Sequence, residues 1–293
     1  MLHWRRVHLN KFLALSAAGM WIGCSTKINA DSVLLSASAD ATLIETAPDN
    51  SSGGAGFFNS GTTQNNTKNR ALIQFDITGI PQSALITAVS LQLEVIRAPS
   101  DGFEASPFSL HRVLRSWGEG STLPLNNPGG LGGPAAPGDA TWNYRFAFDQ
   151  PWGVPGGEAG VDYAAASSAG IIIYGTENSP YSYESTPEAV ADVQFWLDHP
   201  ESNFGWMLMS DFEDTPFTAR HFGSREDPLG RGSLLTVEYA LVPEPGTTAL
   251  GVMGVIVLAG SLRHRIFKQV CRRATALGRP VAASLSRRIG PRC

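Results

Sequence analysis

Val89, Leu91, Leu93 and Val95 alternate with Ser90, Gln92 and Glu94. A period of two is that of a strand with one face buried and the other in water. Similar short runs recur along the chain. Ala71-Leu72-Ile73-Gln74-Phe75-Asp76-Ile77 is one, and Ile171-Ile172-Ile173-Tyr174 is another. Trp206, Leu208 and Ser210 alternate with Met207 and Met209, and Leu235, Val237 and Tyr239 share a face. Gly, Pro, Ser and Asn punctuate the intervals. Many short strands between such turns predict an all-β antiparallel sandwich or barrel.

One helix interrupts the strand pattern. Ser185-Thr186-Pro187-Glu188 has a capping-box spacing with proline in the first turn. Val190, Val193 and Leu197 follow at helical spacing, Phe195 or Trp196 widens the apolar face, and His199-Pro200 ends it. The Gly/Pro segment from Asn126 to Gly138 reads as an insertion loop at the surface.

Charge divides the chain by position. Residues 1–30 carry four basic residues and no acidic one, and residues 263–293 carry nine basic and no acidic. The stretch between holds all 26 acidic residues against the remaining nine basic ones, a net charge of −17. An acidic body argues against nucleic acid as a partner, because phosphate recognition needs a basic surface. Cysteine is confined to positions 24, 271 and 293, so the body folds without disulfides or a cysteine-held metal.

The ends read as addresses. Arg5, Arg6 and Lys11 precede the apolar run Phe12–Gly23, the shape of a secretory signal over residues 1–30. Thr247 to Leu262 is a run of 16 residues without charge. As a helix it spans about 24 Å, slightly short of a hydrocarbon core of about 30 Å. Arg263, Arg265 and Lys268 can extend it by snorkelling, and their position predicts a cytoplasmic C-terminus. An exported body and a cytoplasmic tail are one consistent topology. The expected organisation is a signal helix (1–30), a sandwich domain (31–240), a sorting signal with a transmembrane helix (241–268) and a basic cytoplasmic tail (269–293).

Val242-Pro243-Glu244-Pro245, then an apolar helix, then a basic cluster, resembles the PEP-CTERM sorting signal. That resemblance implies Pro243, Glu244 and Pro245 as the sorting mark, and an exosortase-type enzyme as processing partner. It implies an inner-membrane-tethered precursor that ends at the cell surface or outside the cell. The chain departs from the pattern in continuing to Cys293, well past the basic cluster.

The body is similar to the DNRLRE-type domain. The matching pieces are Asn69–Ile77, Ile80-Pro81, Ala84-Leu85-Ile86, Trp117, Thr141-Trp142, Trp152, Gln194–Leu197, Asn203–Trp206 and Phe222–Glu226. The resemblance implies a jelly-roll-like antiparallel β-sandwich. Related domains accompany polysaccharide-degrading enzymes, and some look like carbohydrate-binding modules.

The body has few marks of catalysis. His111, His199 and His221 form no zinc spacing, and there is neither a nucleophile elbow nor a phosphate loop. Sugars stack on exposed aromatic rings. Trp196 and Trp206 belong to the core by their place on the helix and in a strand. Trp117 and Trp152 lie beside Gly-rich turns and are the candidates for carbohydrate stacking. Asp211, Glu213 and Asp214 form the densest acidic cluster, read either as a solvated turn or as ligands for calcium, which takes several oxygens from a turn. Asp40 and Asp76 join as ligands if the sandwich ends converge. Arg70 and Arg225-Glu226 are expected to pin strands through ion pairs. The leading expectation is an exported, non-catalytic protein whose sandwich binds polysaccharide or extracellular matrix, with no required cofactor. The alternatives are a structural or adhesion protein with no small ligand, and a polysaccharide-active enzyme.

Overall fold

Ala30–Ile44 forms one 15-residue strand, β1, that serves two sheets in succession. In the computed structural model, residues 30–124 and 130–241 are described. The chain proceeds through β2 (Asn50–Ser51), β3 (Phe57–Thr62), β4 (Lys68–Phe75), β5 (Ala84–Leu93), β6 (Val95–Arg97), β7 (Ser106–Arg112) and β8 (Gly133–Pro134). It continues with β9 (Tyr144–Phe146), β10 (Gln150–Pro151), β11 (Ala169–Ile173), β12 (Tyr181–Tyr183), helix α1 (Pro187–Asp198), β13 (Trp206–Ser210), β14 (Arg220–Gly223) and β15 (Leu234–Leu241). All pairings between these strands are antiparallel, and the architecture of the described residues is an all-β sandwich with one α-helix.

The first half of β1 pairs with β15, from Ala30 opposite Ala240 to Ser36 opposite Leu234. The second half pairs with β4, with the register shifting between Ala37 and Ala39. A bulge of this kind lets a strand turn from one sheet into the other. One sheet therefore runs β12-β5-β15-β1, and the other β1-β4-β13-β7-β11. A flap of β3, β14 and β6 continues from the edge of β4.

Between the sheets lies the larger core, with Phe75, Leu91, Phe108, Trp206, Leu208 and Val237 among its members. Helix α1 closes one side of it. Thr186 is the N-cap, accepting from the Ala189 N–H at 3.0 Å, and the helix stops at His199 before Pro200. Ser185 does other work than the expected capping box, since its Oγ accepts from the Val89 N–H at 3.0 Å. Trp196 is fully buried and packs edge-on to Trp206 at 4.6 Å, while Phe195 stays half in water. The Trp206 indole N–H donates at 2.8 Å to Asp192 on the helix, which fixes α1 to β13.

A second core lies on the other face of β4 and β13. Leu43, Leu72, Met207 and Met209 meet Trp117, Trp142 and Trp152 there. Both faces of these central strands are thus buried, and the described parts of the long excursion between Val113 and Ser168, residues 113–124 and 130–168, are the lid on the outer face. Such strands read as near-continuous apolar runs, as Ala71–Ile73 and Trp206–Met209 do.

The signal segment, the sorting mark and the apolar run 247–262 fall outside the described residues. Among the described residues no helix is long and apolar enough to cross a membrane.

Candidate functional site

Trp117 and Trp152 are not on the surface. They are 8% and 4% exposed. The Trp117 indole N–H donates to the Phe204 carbonyl at 2.9 Å, and that of Trp152 to the Thr141 carbonyl at 2.8 Å. Neither offers a ring face to a sugar. The reason is the second core. Nearby glycines let the backbone close over the rings, and Gly156, at φ +86°, leaves only 2.6 Å between a would-be Cβ and the Trp142 ring.

Asp211, Glu213 and Asp214 do not converge on a cation either. Glu213 is spent on Arg70, whose Nε and Nη2 each donate at 2.7 Å to its two oxygens. The Arg70 Nη1 reaches the Gly156 carbonyl at 2.9 Å, so the guanidinium ties β4 to the lid. Asp214 stands 99% exposed, 3.2 Å from the Lys68 ammonium, and Asp211 is exposed. Asp76 closes its own turn, accepting from the Thr78 N–H and hydroxyl at 2.9 and 2.7 Å.

A different set of carboxylates does converge. Oxygens of Asp40, Glu119 and Glu226 lie within 4.8 Å of one another. Asp40 comes from β1, Glu119 from the lid and Glu226 from the turn after β14. Asp40 is fully buried, and burial pushes its carboxyl up to about 8 against the hydrogen bond from the Arg225 N–H. Glu226 is also raised, by burial and then by Glu119. Arg225 lies at the centre of the group. Its Nε and Nη2 donate at 2.7 Å to the two Glu119 oxygens, and Nη2 is 2.9 Å from Glu226. These three carboxylates are the described group that could hold a metal ion, and a guanidinium already supplies the positive charge. The ion pair expected of Arg225 and Glu226 is present, with Glu119 as its stronger partner.

The open polar surface lies at the flap. A groove of about 510 Å³ runs between the Thr63–Thr67 turn, the segment Arg97–Asp101 and the stretch Phe217–His221. The turn is closed by the Thr63 N–H donating to the Thr67 carbonyl at 2.9 Å, with Asn66 at φ 58°. Gln64, Asn65 and Ser100 present neutral amides and a hydroxyl to solvent, beside the half-buried ring of Phe217. Asp101 is the single carboxylate among the described lining residues. His221 packs on Phe57 with ring centroids 4.7 Å apart. Burial, then Arg97, lowers its pKa to about 4, so it is neutral at physiological pH.

The groove is assembled from three loops far apart in sequence, and no periodic pattern marks them. A sequence signal existed only in the turn residues of Thr-Thr-Gln-Asn-Asn-Thr, which read as punctuation between strands. No known family model matches the chain. No curated protein matches it in sequence.

Proposed function

We propose that this is an exported, non-catalytic protein of the cell surface or extracellular matrix, whose jelly-roll-like sandwich binds polysaccharide in the groove beside the Thr63–Thr67 turn. The observation that carries this reading is the groove's chemistry. Neutral amide and hydroxyl groups line an open trough next to an apolar ring, which suits the hydroxyl-rich edges and apolar faces of sugars. Glycoside hydrolysis needs a pair of carboxylates across the scissile bond, and this groove has Asp101 alone among its described residues. No cofactor is required in this reading.

Delivery rests on the flanking segments. Residues 1–30 direct export, 247–262 hold the precursor in the membrane, and an exosortase-type enzyme reads Pro243-Glu244-Pro245. Replacing those three residues with alanine should leave an unprocessed, membrane-bound chain, and normal release would remove this assignment.

For the groove, the test is a glycan array probed with the full chain in detergent. Binding should be lost in Gln64→Ala and Asn65→Ala at unchanged melting temperature. Unaltered binding in both variants would reject the groove, and a folded wild type that binds no glycan would reject the polysaccharide reading and leave a structural role.

A further inference from the structure

A second groove of about 480 Å³ adjoins the first. Arg97, Ala98 and Pro99 line both, so the segment after β6 is a shared ridge rather than an outer wall. The far side of the second groove is Gly175, Thr176 and Glu177. Each groove carries an aromatic ring, Phe103 in the second and Phe217 in the first. The rings belong to one loop pair, because the Glu104 N–H donates to the Phe217 carbonyl at 3.3 Å. Gly102, at φ +64°, lies so close to Phe217 that a Cβ would sit 2.8 Å from its ring.

One buried side chain fixes the two grooves to each other. Arg220, fully buried, donates from Nε to the Tyr174 carbonyl at 2.6 Å, which holds the Gly175–Glu177 wall. Its Nη1 donates to the Thr218 carbonyl at 2.8 Å and to the Ala219 carbonyl at 3.0 Å, behind the first groove. Its Nη2 donates to the Glu104 carbonyl at 2.6 Å, and its guanidinium lies 4.4 Å from the centroid of the Phe103 ring. The walls of both grooves therefore share one anchor, and a ligand spanning them meets a preorganised surface.

We infer that the two grooves are subsites for one glycan chain that crosses the Arg97–Pro99 ridge, and that this chain is a neutral polysaccharide recognised along its length. The inference rests on the polysaccharide reading above. Neutrality follows from charge. Asp101 lines one groove and Glu177 the other, two carboxylates against the one shared Arg97, on a body whose net charge is −17. A polyanion would meet two carboxylates and an unfavourable field.

Two linked subsites predict affinity that rises with ligand length. Calorimetry of the full chain in detergent should compare neutral gluco- and manno-oligosaccharides, from disaccharide to octasaccharide, with oligouronates of equal length. Affinity for the neutral series should rise about tenfold or more once a chain reaches both grooves. Phe103→Ala should remove that gain and leave the affinity of the shortest ligands as it was. Should Phe103→Ala fail to fold, Thr176→Trp, which fills the second groove from an exposed position, should do the same. Affinity that is flat with length, equal losses for short and long ligands, or preference for the uronates would each overturn the inference while the polysaccharide reading stands. Absence of binding to every glycan would remove both.

Discussion

Arg225 holds Asp40 with its backbone and Glu119 with its side chain. Its N–H donates to Asp40 Oδ2 at 2.9 Å, and its guanidinium forks onto Glu119 at 2.7 Å for both bonds. The turn after β14, the lid and β1 meet at this one residue. Arg225→Gln should cost about 1–2 kcal/mol, because charge-assisted bonds are lost but the guanidinium is partly exposed. The urea midpoint measures it. Combining Arg225→Gln with Glu119→Gln should cost less than the two single changes added together.

Calcium should not alter the melting temperature of the wild type at neutral pH. The Arg225 guanidinium, 2.7 Å from Glu119 and 2.9 Å from Glu226, already supplies the cation. Arg225→Gln leaves Asp40, Glu119 and Glu226 with no such charge among them. That variant should gain a calcium-dependent rise in melting temperature, absent with magnesium, which demands a stricter octahedron than calcium does. A calcium response in the wild type would show that the guanidinium does not occupy the cation's place.

Asp40 sets a pH trend. Its carboxyl titrates at 3.8 when unfolded and is raised to about 8 by burial in the native state. The folded chain therefore binds the extra proton, and the contribution of this carboxyl to stability is fullest below the unfolded value and declines as pH rises toward 8. Asp40→Asn keeps an acceptor for the Arg225 N–H and removes the titration. The stability of this variant relative to wild type should improve steadily between pH 4 and pH 8, as followed by thermal melts. A difference constant with pH would contradict the raised carboxyl.

Two acidic neighbours should differ sharply. Glu213 is bound to Arg70 with both side chains mostly buried, 13% and 18% exposed, whereas Asp214 is wholly in water. Glu213→Gln leaves the Arg70 charge without its partner and should cost about 3 kcal/mol. Asp214→Asn should stay within about 0.5 kcal/mol of wild type. Chemical denaturation of the two variants decides it.

Trp152 belongs to the second core, so Trp152→Ala should cost about 3–5 kcal/mol through lost burial and the cavity left behind. Wild-type intrinsic fluorescence should show little quenching of this residue by iodide. Ready quenching assigned through Trp152→Phe would place the ring in water.

The alternation in Val89, Leu91 and Leu93 was readable because one face of β5 meets the core and the other meets solvent. Thr186 and Pro200 bounded α1 by local backbone chemistry, which sequence displays directly. Trp117 and Trp152 misled because glycine-rich neighbours suggest surface, yet Leu72, Met207 and Met209 needed a cover on the outer face of the second sheet. Apolar residues on both faces of β4 and β13 are the sign in the sequence that such a cover exists. Asp40 was legible as a ligand type, but its neighbours Glu119 and Glu226 lie 79 and 186 positions away and meet it only through the sheet crossing of β1. The grooves were invisible for the same reason, since the backbone at Glu104, Tyr174 and Thr218-Ala219 is brought together only by Arg220.

β15 lies between β1 and β5, with Ala240 opposite both Ala30 and Leu85. The two ends of the described body therefore leave it at one corner. Force applied between Ala30 and Leu241 therefore pulls β1 and β15 sideways and apart, so the bonds between them open one at a time from that corner. Stretching single molecules by these two ends should give low rupture forces that begin with the peeling of β15 from β1.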